Sequence, residues 1–414
     1  MRIAIVNWTN RRVGGAETYL ARLIPGLQAT HHHLFLWHET AEPASREPIP
    51  GTAGLPSCCA KDVGVDNALR ALKAWQPDVL YVHGLTNPVN EKALLAIAPA
   101  VLFAHGYYGT CITGSKTFKL PVVQPCGRQF GTSCLALYYP RRCGGLSPLT
   151  MMIDYRRQAA RHALVHRYSA VLTFSEHMRR EYAQHGVSSG KLHRVPSLDD
   201  AAASQSGSSS FPARVPDAVG PTTWRLAFIG RMDPLKGSRL LLKALPRVRA
   251  AITGRIVLTF AGDGHDLEPC RREAARIVCS LADTEVEFLG WVPPERCRAL
   301  LAASDVLVVP SLWPEPHGLV GLEALRAGVP IAAFAVGGIP EWLEDGKTGA
   351  LAPADPPTAE GLSSAIIRCL TTPAIRTSNP REGRHRAQAS IAQHLEALMP
   401  LLEGAAAAEA SVVA

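Results

Sequence analysis

The sequence predicts an α/β protein of two doubly wound parallel-sheet domains, and three observations carry that prediction. Short, continuous apolar runs rich in β-branched residues alternate with stretches of helical spacing along most of the chain. The alternation is broken once, near the middle, by a segment of Ala, Ser, Gly and Pro. The 414 residues, 47% of them apolar, exceed what one core of ordinary size needs, so two or three domains are expected.

Residues 2–8 form an apolar run, Gly14-Gly15 a turn, and residues 17–27 carry Tyr19, Leu20, Leu23 and Leu27 at helical spacing. Residues 79–82, 100–104 and 170–174 repeat the brief, buried type of strand. Strands apolar on both faces, with helices between them, belong in a parallel sheet covered on both sides, the Rossmann-like arrangement. Residues 197–223, with Ala-Ala-Ala-Ser-Gln-Ser-Gly-Ser-Ser-Ser, bury too little to order themselves and read as a flexible connection. A second series follows, with strands over 225–230, 255–261, 286–289, 306–310 and 331–334 and helices such as 238–250 and 294–303. Helices near 358–371 and 386–402 finish the chain. The expected boundaries are a first domain over 1–197, a linker over 198–223 and a second domain over 224–380. A terminal helix over 381–403 is expected to pack back on the first domain, and 404–414 to be a disordered, Ala-rich tail.

The net charge of +8 is lopsided. Residues 1–197 carry 22 Lys and Arg against 11 Asp and Glu, and the remainder carries 21 against 24. Residues 116–180 alone hold eleven basic side chains against Asp154 and Glu176. Such a field attracts phosphates or an anionic bilayer, or it is only a solvated basic face. Aromatic content is 6% and no nucleic-acid-binding signature accompanies the charge, so no nucleic acid is expected as a partner. No run of about 18 apolar residues occurs, and Met-Arg-Ile-Ala-Ile-Val lacks a secretory layout. The expectation is a cytoplasmic protein, with peripheral attachment to the inner face of the membrane through its basic half.

Open parallel α/β sheets bind ligands outside the carboxyl ends of their strands, here on either side of an expected cleft. After the first strand of the second half stands Gly230-Arg231-Met232-Asp233-Pro234-Leu235-Lys236-Gly237-Ser238. A guanidinium fork and a mobile ammonium, five residues apart ahead of a helix N-terminus, suit a diphosphate; the competing reading is a basic loop capped by Ser238. Farther on, Glu315, Pro316, His317 and Gly318 precede a helix opening at Leu319, whose free amides can hold an anion, with Glu323 more than a turn inside. One carboxylate would sit near a sugar and the other near ribose hydroxyls, or both are ordinary surface glutamates.

In concert, Gly14-Gly15-Ala16-Glu17, His105-Gly106, Phe174-Ser175-Glu176, Gly230-Arg231 to Lys236-Gly237, Ala261-Gly262-Asp263-Gly264, Gly290-Trp291-Val292 and the Glu315 to Glu323 segment are more specific than any one alone. Their order and spacing resemble the GT-B glycosyltransferases of family 4, over nearly the whole chain and most strongly over residues 226–353. The resemblance implies two Rossmann-like domains facing across a cleft and a nucleotide diphosphate sugar as donor. It implies that Arg231 and Lys236 bind the donor diphosphate as it leaves, that Glu315 faces the transferred sugar and that Glu323 binds the ribose. The amides of Gly318, Leu319 and Val320 would meet sugar hydroxyls and phosphate. Trp291 and Val292 would meet the base, with Gly230 and Gly264 in the loops around the donor. Gly14 and Gly15 would let the first loop approach the diphosphate, and His105 would lie beside the sugar. Transfer in the family retains the anomeric configuration. The acceptor is expected to be a surface polysaccharide, glycolipid or other glycan or lipid-linked molecule. No Asp-x-Asp triplet occurs, so metal dependence is not expected, and no cofactor beyond the donor substrate is called for. No Gly-x-Gly-x-x-Gly follows any strand, which disfavours a dehydrogenase. A catalytically silent glycan-pathway binding subunit with the same fold is the alternative; the intact Arg231, Lys236, Glu315 and Glu323 set argues against it.

Several residues keep two readings. His317 orients the donor or packs in a turn, and Ser175 reaches a substrate or caps the next helix. His31, His32 and His33 read as a surface turn. The unusual feature is residues 107–147, an insert after His105-Gly106 that holds Cys111, Cys126, Cys134 and Cys143. Their spacing fits no compact zinc knuckle, so metal site, disulfide and free thiols all stay open, and the insert is expected to shape acceptor choice.

Overall fold

The computed structural model describes residues 1–198, 222–377 and 388–413. They form two compact units, the first made of residues 1–116, 128–198 and 388–413 and the second of 117–127 and 222–377. The connection expected over 198–223 lies outside the described residues apart from its ends, as do residues 378–380 and 381–387.

The first unit contains β1 (Arg2–Thr9), β2 (His33–Thr40), β3 (Ser57–Cys59), β4 (Val79–Val82) and β5 (Ala100–Phe103). Past a hairpin of β6 (Thr117–Phe118) and β7 (Gln124–Pro125) come β8 (Ala170–Thr173), β9 (Leu192–Arg194) and β10 (Ser197–Leu198). Seven of these form one parallel sheet in the order β3-β2-β1-β4-β5-β8-β9. The second unit holds β11 (Thr223–Ile229), β12 (Arg255–Ala261), β13 (Thr284–Gly290), β14 (Val306–Val309), β15 (Ile331–Phe334) and β16 (Gly349–Ala352). They are parallel in the order β13-β12-β11-β14-β15-β16. The predicted α/β class is what the chain adopts. Strands β4, β5, β8, β14 and β15 are buried at every position, which is why their sequences run apolar without alternating. In each sheet the order reverses beside the first strand, between β1 and β4 and between β11 and β14. A crevice opens at the carboxyl ends at such a point.

The helix Gly15–Gln28 buries Tyr19, Leu20, Leu23 and Leu27 as its spacing predicts. The terminal helix differs from expectation. It runs Ile391–Val413, so residues 404–413, expected as a disordered tail, continue it. Leu398, Leu402 and Ala405 fall on one face and enter the first unit's core, and alanine's high helix propensity carries the rest of the run. The helix packs on Gly15–Gln28, where a Cβ at Gly26 would lie 2.4 Å from Ile391.

The 107–147 insert is divided. Its antiparallel hairpin, within residues 117–127, belongs to the second unit, where Val123 packs against the hydrophobic core, so the first domain is not the continuous 1–197 expected. The insert's remainder is tied into the first unit by Lys116. The buried Lys116 ammonium lies 2.5 Å from Glu181 and donates to the carbonyls of Thr110 and Arg128 at 3.3 and 2.6 Å. The Phe130 N–H donates to His185 Nε2 at 2.9 Å. Cys111, Cys126, Cys134 and Cys143 are unbridged thiols, and no cluster of metal-ligating side chains forms among the described residues.

Candidate functional site

Three loops at the carboxyl ends of β11, β12 and β13 are laced together by their backbones. Gly230 N–H donates to Ala261 O at 3.0 Å, Met232 N–H to Asp263 O at 2.8 Å and Gly262 N–H to Gly290 O at 2.7 Å. A side chain at Gly262 would strike Gly230 O at 1.8 Å, and one at Gly264 would strike Met232 O at 2.4 Å. Both have positive φ, so glycine is required on two counts. The lacing fixes the Arg231 to Lys236 turn without using its cations. Asp233 Oδ1 accepts the N–H groups of Leu235 and Lys236 at 3.1 Å, making Asp233 the cap of a short 3₁₀ turn. The cap ahead of the next helix, Ser238–Ala251, is Gly237 in the left-handed region, packed on Pro310 O. Ser238, read as an alternative cap, is the first helical residue instead, and its hydroxyl accepts from Cys270.

At the switch point this turn meets the loop after β14. Lys236 Nζ lies 2.6 Å from Glu315 Oε1 and 5.4 Å above the Trp313 ring. Glu315, 79 residues away in sequence, also accepts from Ser311 Oγ at 2.5 Å. Glu315 is almost wholly buried while Lys236 keeps about a fifth of its side-chain surface, so the pair is open on the lysine side. Arg231 is exposed and reaches Asp233 at 3.3 Å, leaving its fork near the mouth of the turn. Glu315 is held from behind as well: Gly338 N–H donates to its carbonyl, and Gly337, at φ +58°, passes so close that a Cβ would lie 2.2 Å from that oxygen.

The helix predicted to open at Leu319 does so, spanning Leu319–Ala327, with Gly318 as a left-handed cap and no acidic side chain in the first turn. The amides of Leu319 and Val320 are therefore among its unbonded N-terminal donors. Trp342 lies beneath this start. Its Nε1–H donates to His317 O at 2.6 Å, and a Cβ at Gly321 would lie 2.0 Å from its ring. His317 is buried in this packing. Glu323 sits on the second turn near Cys297, whose thiol is pushed up to about 11 by burial and then by the Glu323 charge. Cys297 Sγ in turn approaches Val292 O at 3.9 Å, so Glu323 and the Trp291-Val292 loop share one neighbourhood. Trp291 is half exposed.

In the first unit, Gly14 caps Gly15–Gln28 and its N–H donates to Glu17 Oε2 at 2.8 Å; Asn7 and Trp8 donate to the other Glu17 oxygen. Gly14 and Gly15 are exposed after β1, at that sheet's switch point. Ser175 is fully buried and its hydroxyl accepts Met178 N–H, so the substrate contact read for it gives way to a helix cap. His105, after β5, lies 3.1 Å from His83, after the adjacent β4. Burial lowers the His105 pKa to about 3 and holds His83 well below the usual histidine range, so both rings are neutral at pH 7. Sequence reasoning missed His83, Ser311 and Trp313. The first was hidden because only strand adjacency brings it to His105; the other two stood in a segment already singled out.

Replacing Lys236 by Met leaves the buried Glu315 carboxylate with Ser311 as its side-chain partner among the described residues. Urea unfolding at pH 7 should then show a loss of roughly 2–4 kcal/mol, less than for a fully enclosed pair because Lys236 is partly wet. The double variant Lys236→Met/Glu315→Leu should recover part of it, and a Lys236→Met protein as stable as the wild type would contradict the pairing.

Two family models match the chain, Glycosyltransferase Family 4 over residues 13–198 and Glycosyl transferases group 1 over residues 223–372. The glycogen synthase of Mycobacterium tuberculosis is 35% identical over 177 residues, 42% of this chain and 40% of that one. The D-inositol 3-phosphate glycosyltransferase of Mycobacteroides abscessus is 40% identical over 131 residues, 31% of this chain and 28% of its own. The chain thus spans well under half the length of these relatives. Among solved structures, Anabaena Alr3699/HepE in complex with UDP and glucose superposes with a TM-score of 0.62 at 17% identity, over 97% of this chain and 99% of that one. With both sheets in doubly wound order and both family models matched across them, the chain belongs to the group 1, family 4 glycosyltransferases of the GT-B fold.

Proposed function

We propose that the protein transfers a hexose-type sugar from a nucleotide diphosphate sugar to a glycan or lipid-linked acceptor, with retention of configuration and without a metal ion. The observation that carries this reading is the convergence of Lys236, Arg231, Glu315 and the free N-terminus of Leu319–Ala327 at one switch point. Arg231 and Lys236 supply the positive charge that a leaving diphosphate needs, and they gain most as charge builds on it in the transition state. Lys236 turns from Glu315 toward the diphosphate when the donor binds, which frees the Glu315 carboxylate for the sugar. The amides of Gly318, Leu319 and Val320 hold phosphate and sugar hydroxyls, Glu323 holds the ribose, and Trp291 with Val292 faces the base. On the first unit, taken by itself, His105 is proposed to contact a sugar.

In the transfer step the bond from the anomeric carbon to the diphosphate oxygen breaks and a bond to the acceptor oxygen forms on the same face. The acceptor proton passes to the departing phosphate oxygen, so no side chain has to act as base. UDP in the HepE complex makes uridine diphosphate the first donor nucleotide to test. Incubating the protein with UDP-hexoses and assaying sugar release or transfer should show turnover that Lys236→Ala abolishes, and NMR of the product should show an α-linkage from an α-linked donor. A β-linkage would overturn retention, and absence of turnover with every donor despite nucleotide binding would favour the silent binding subunit.

The acceptor side is proposed to work at an anionic membrane surface, as a peripheral protein on the cytoplasmic face. No helix among the described residues is long and apolar enough to cross a membrane. Leu146, Leu149 and Ile153 are 67%, 70% and 46% exposed, the last two four residues apart on the helix Pro148–Val165. Arg142, Arg156 and Arg157 are exposed beside them in sequence, with Asp154 as the acidic neighbour. Apolar side chains flanked by arginine fit the boundary between acyl chains and anionic headgroups. Co-sedimentation with phosphatidylglycerol vesicles should be strong at low salt and weakened by Leu146→Ser/Leu149→Ser; no binding at any ionic strength would refute it.

A further inference from the structure

We propose that His83 is a positioning residue that sets the tautomer of His105, so that His105 presents a neutral Nδ1–H donor. The inference rests on the proposed contact of His105 with a sugar and adds the partner that prepares it. Both histidines follow neighbouring parallel strands, β4 and β5, and their backbones are fixed there; His83 N–H donates to Val6 O at 2.8 Å. The His83 ring is enclosed, with Tyr81 at 4.3 Å edge-on and Tyr19 and Phe103 at 5.6 and 6.0 Å. The His105 ring stacks on Phe103 at 4.5 Å. Neither ring can swing away without opening this aromatic box.

Between His83 Nδ1 and His105 Nε2, 3.1 Å apart, there is room for one proton. Two arrangements are conceivable. If His105 donates, His83 must carry its own proton on Nε2, an atom that is buried and has no hydrogen-bond partner. If His83 donates from Nδ1, its Nε2 is only a bare lone pair. An orphaned buried N–H is the rarer defect, so the second arrangement is favoured. His105 then accepts at Nε2 and carries its proton on Nδ1. That nitrogen makes no hydrogen bond to the described residues and is left for a hydroxyl or ring oxygen of a sugar.

The wall behind the pair is held by a chain whose polarity follows from its end. Pro196 O can only accept, so His394 Nδ1, 2.7 Å away, donates to it, and His394 Nε2 accepts from Tyr19 at 2.8 Å. Tyr19 oxygen in turn accepts from Tyr81 at 2.8 Å. Both tyrosine hydrogens are thereby committed, and no polar atom of the described residues lies within hydrogen-bond reach of His83 Nε2 to accept a proton from it.

The test combines nitrogen-15 NMR of the ligand-free protein with kinetics. The His105 imidazole should show the Nδ1–H tautomer in the wild type and lose it in His83→Phe, which keeps the ring shape without a donor. His83→Asn, whose amide nitrogen replaces Nδ1, should restore it. In sugar transfer, His83→Phe should lower kcat by about 10- to 100-fold with little change in KM for the donor, and His83→Asn should recover most of the loss. An Nε2–H tautomer in the wild type, or kinetics in which Asn is as impaired as Phe, would overturn the proposal. If the wild type turns over no donor, the functional reading fails while the NMR result still decides the tautomer.

Discussion

A lysine and a buried glutamate facing each other across a topological switch point are the constraint around which the second unit is built. Lys236 and Glu315 are 79 residues apart, and each is delivered by a loop that glycine makes possible. Gly237 lets the first loop turn against Pro310 O, and Gly337 lets the chain pass behind Glu315. The pair is uneven: the carboxylate is enclosed and shares one oxygen with Ser311, whereas the ammonium is partly solvated and free to leave. A buried charge keeps its partner until a better arrangement is offered, and in the proposed function two phosphates close to Arg231 and a helix N-terminus offer one. On that proposal the ion pair is the donor-free state of the site.

The first unit uses the same topology for a different chemistry. Its switch point gathers apolar rings and neutral imidazoles in place of charges. Burial strips the protons from His83, His105 and His394, and the hydrogen bonds left over have a single consistent direction. Depressed histidine pKa values also link to stability. Protonating these rings costs more in the folded state, so their contribution is present above about pH 6.5 and is lost as pH falls toward their folded values. The terminal helix takes part through His394, which explains why that helix lies on Gly15–Gln28 rather than ending free.

Much of this was legible in the chain. Residues 255–261 and 331–334 are predicted as strands and are strands to the residue, because buried parallel strands announce themselves as near-continuous apolar, β-branched runs. The Arg231 to Lys236 loop and the helix opening at Leu319 were legible because glycine, proline and charge mark strand-to-helix turns. What escaped depended on contacts distant in sequence. His83 has no local signature and acquires meaning only when β4 lies beside β5. The Ala-rich end was read as frayed because a propensity-based view cannot see that Leu398, Leu402 and Ala405 find a core to enter. Residues 117–127 were assigned to the first unit by chain order, although Val123 packs in the second.

Calorimetric titration of UDP into the wild type, Lys236→Met and Glu315→Gln tests the account most directly. If Lys236 leaves Glu315 to bind the diphosphate, Lys236→Met should weaken UDP binding by at least about tenfold, the loss of one charge-assisted contact. Glu315→Gln, which releases the ammonium in advance, should bind UDP as tightly as the wild type or more so. Equal affinity in the wild type and Lys236→Met, or weaker binding in Glu315→Gln than in Lys236→Met, would contradict it.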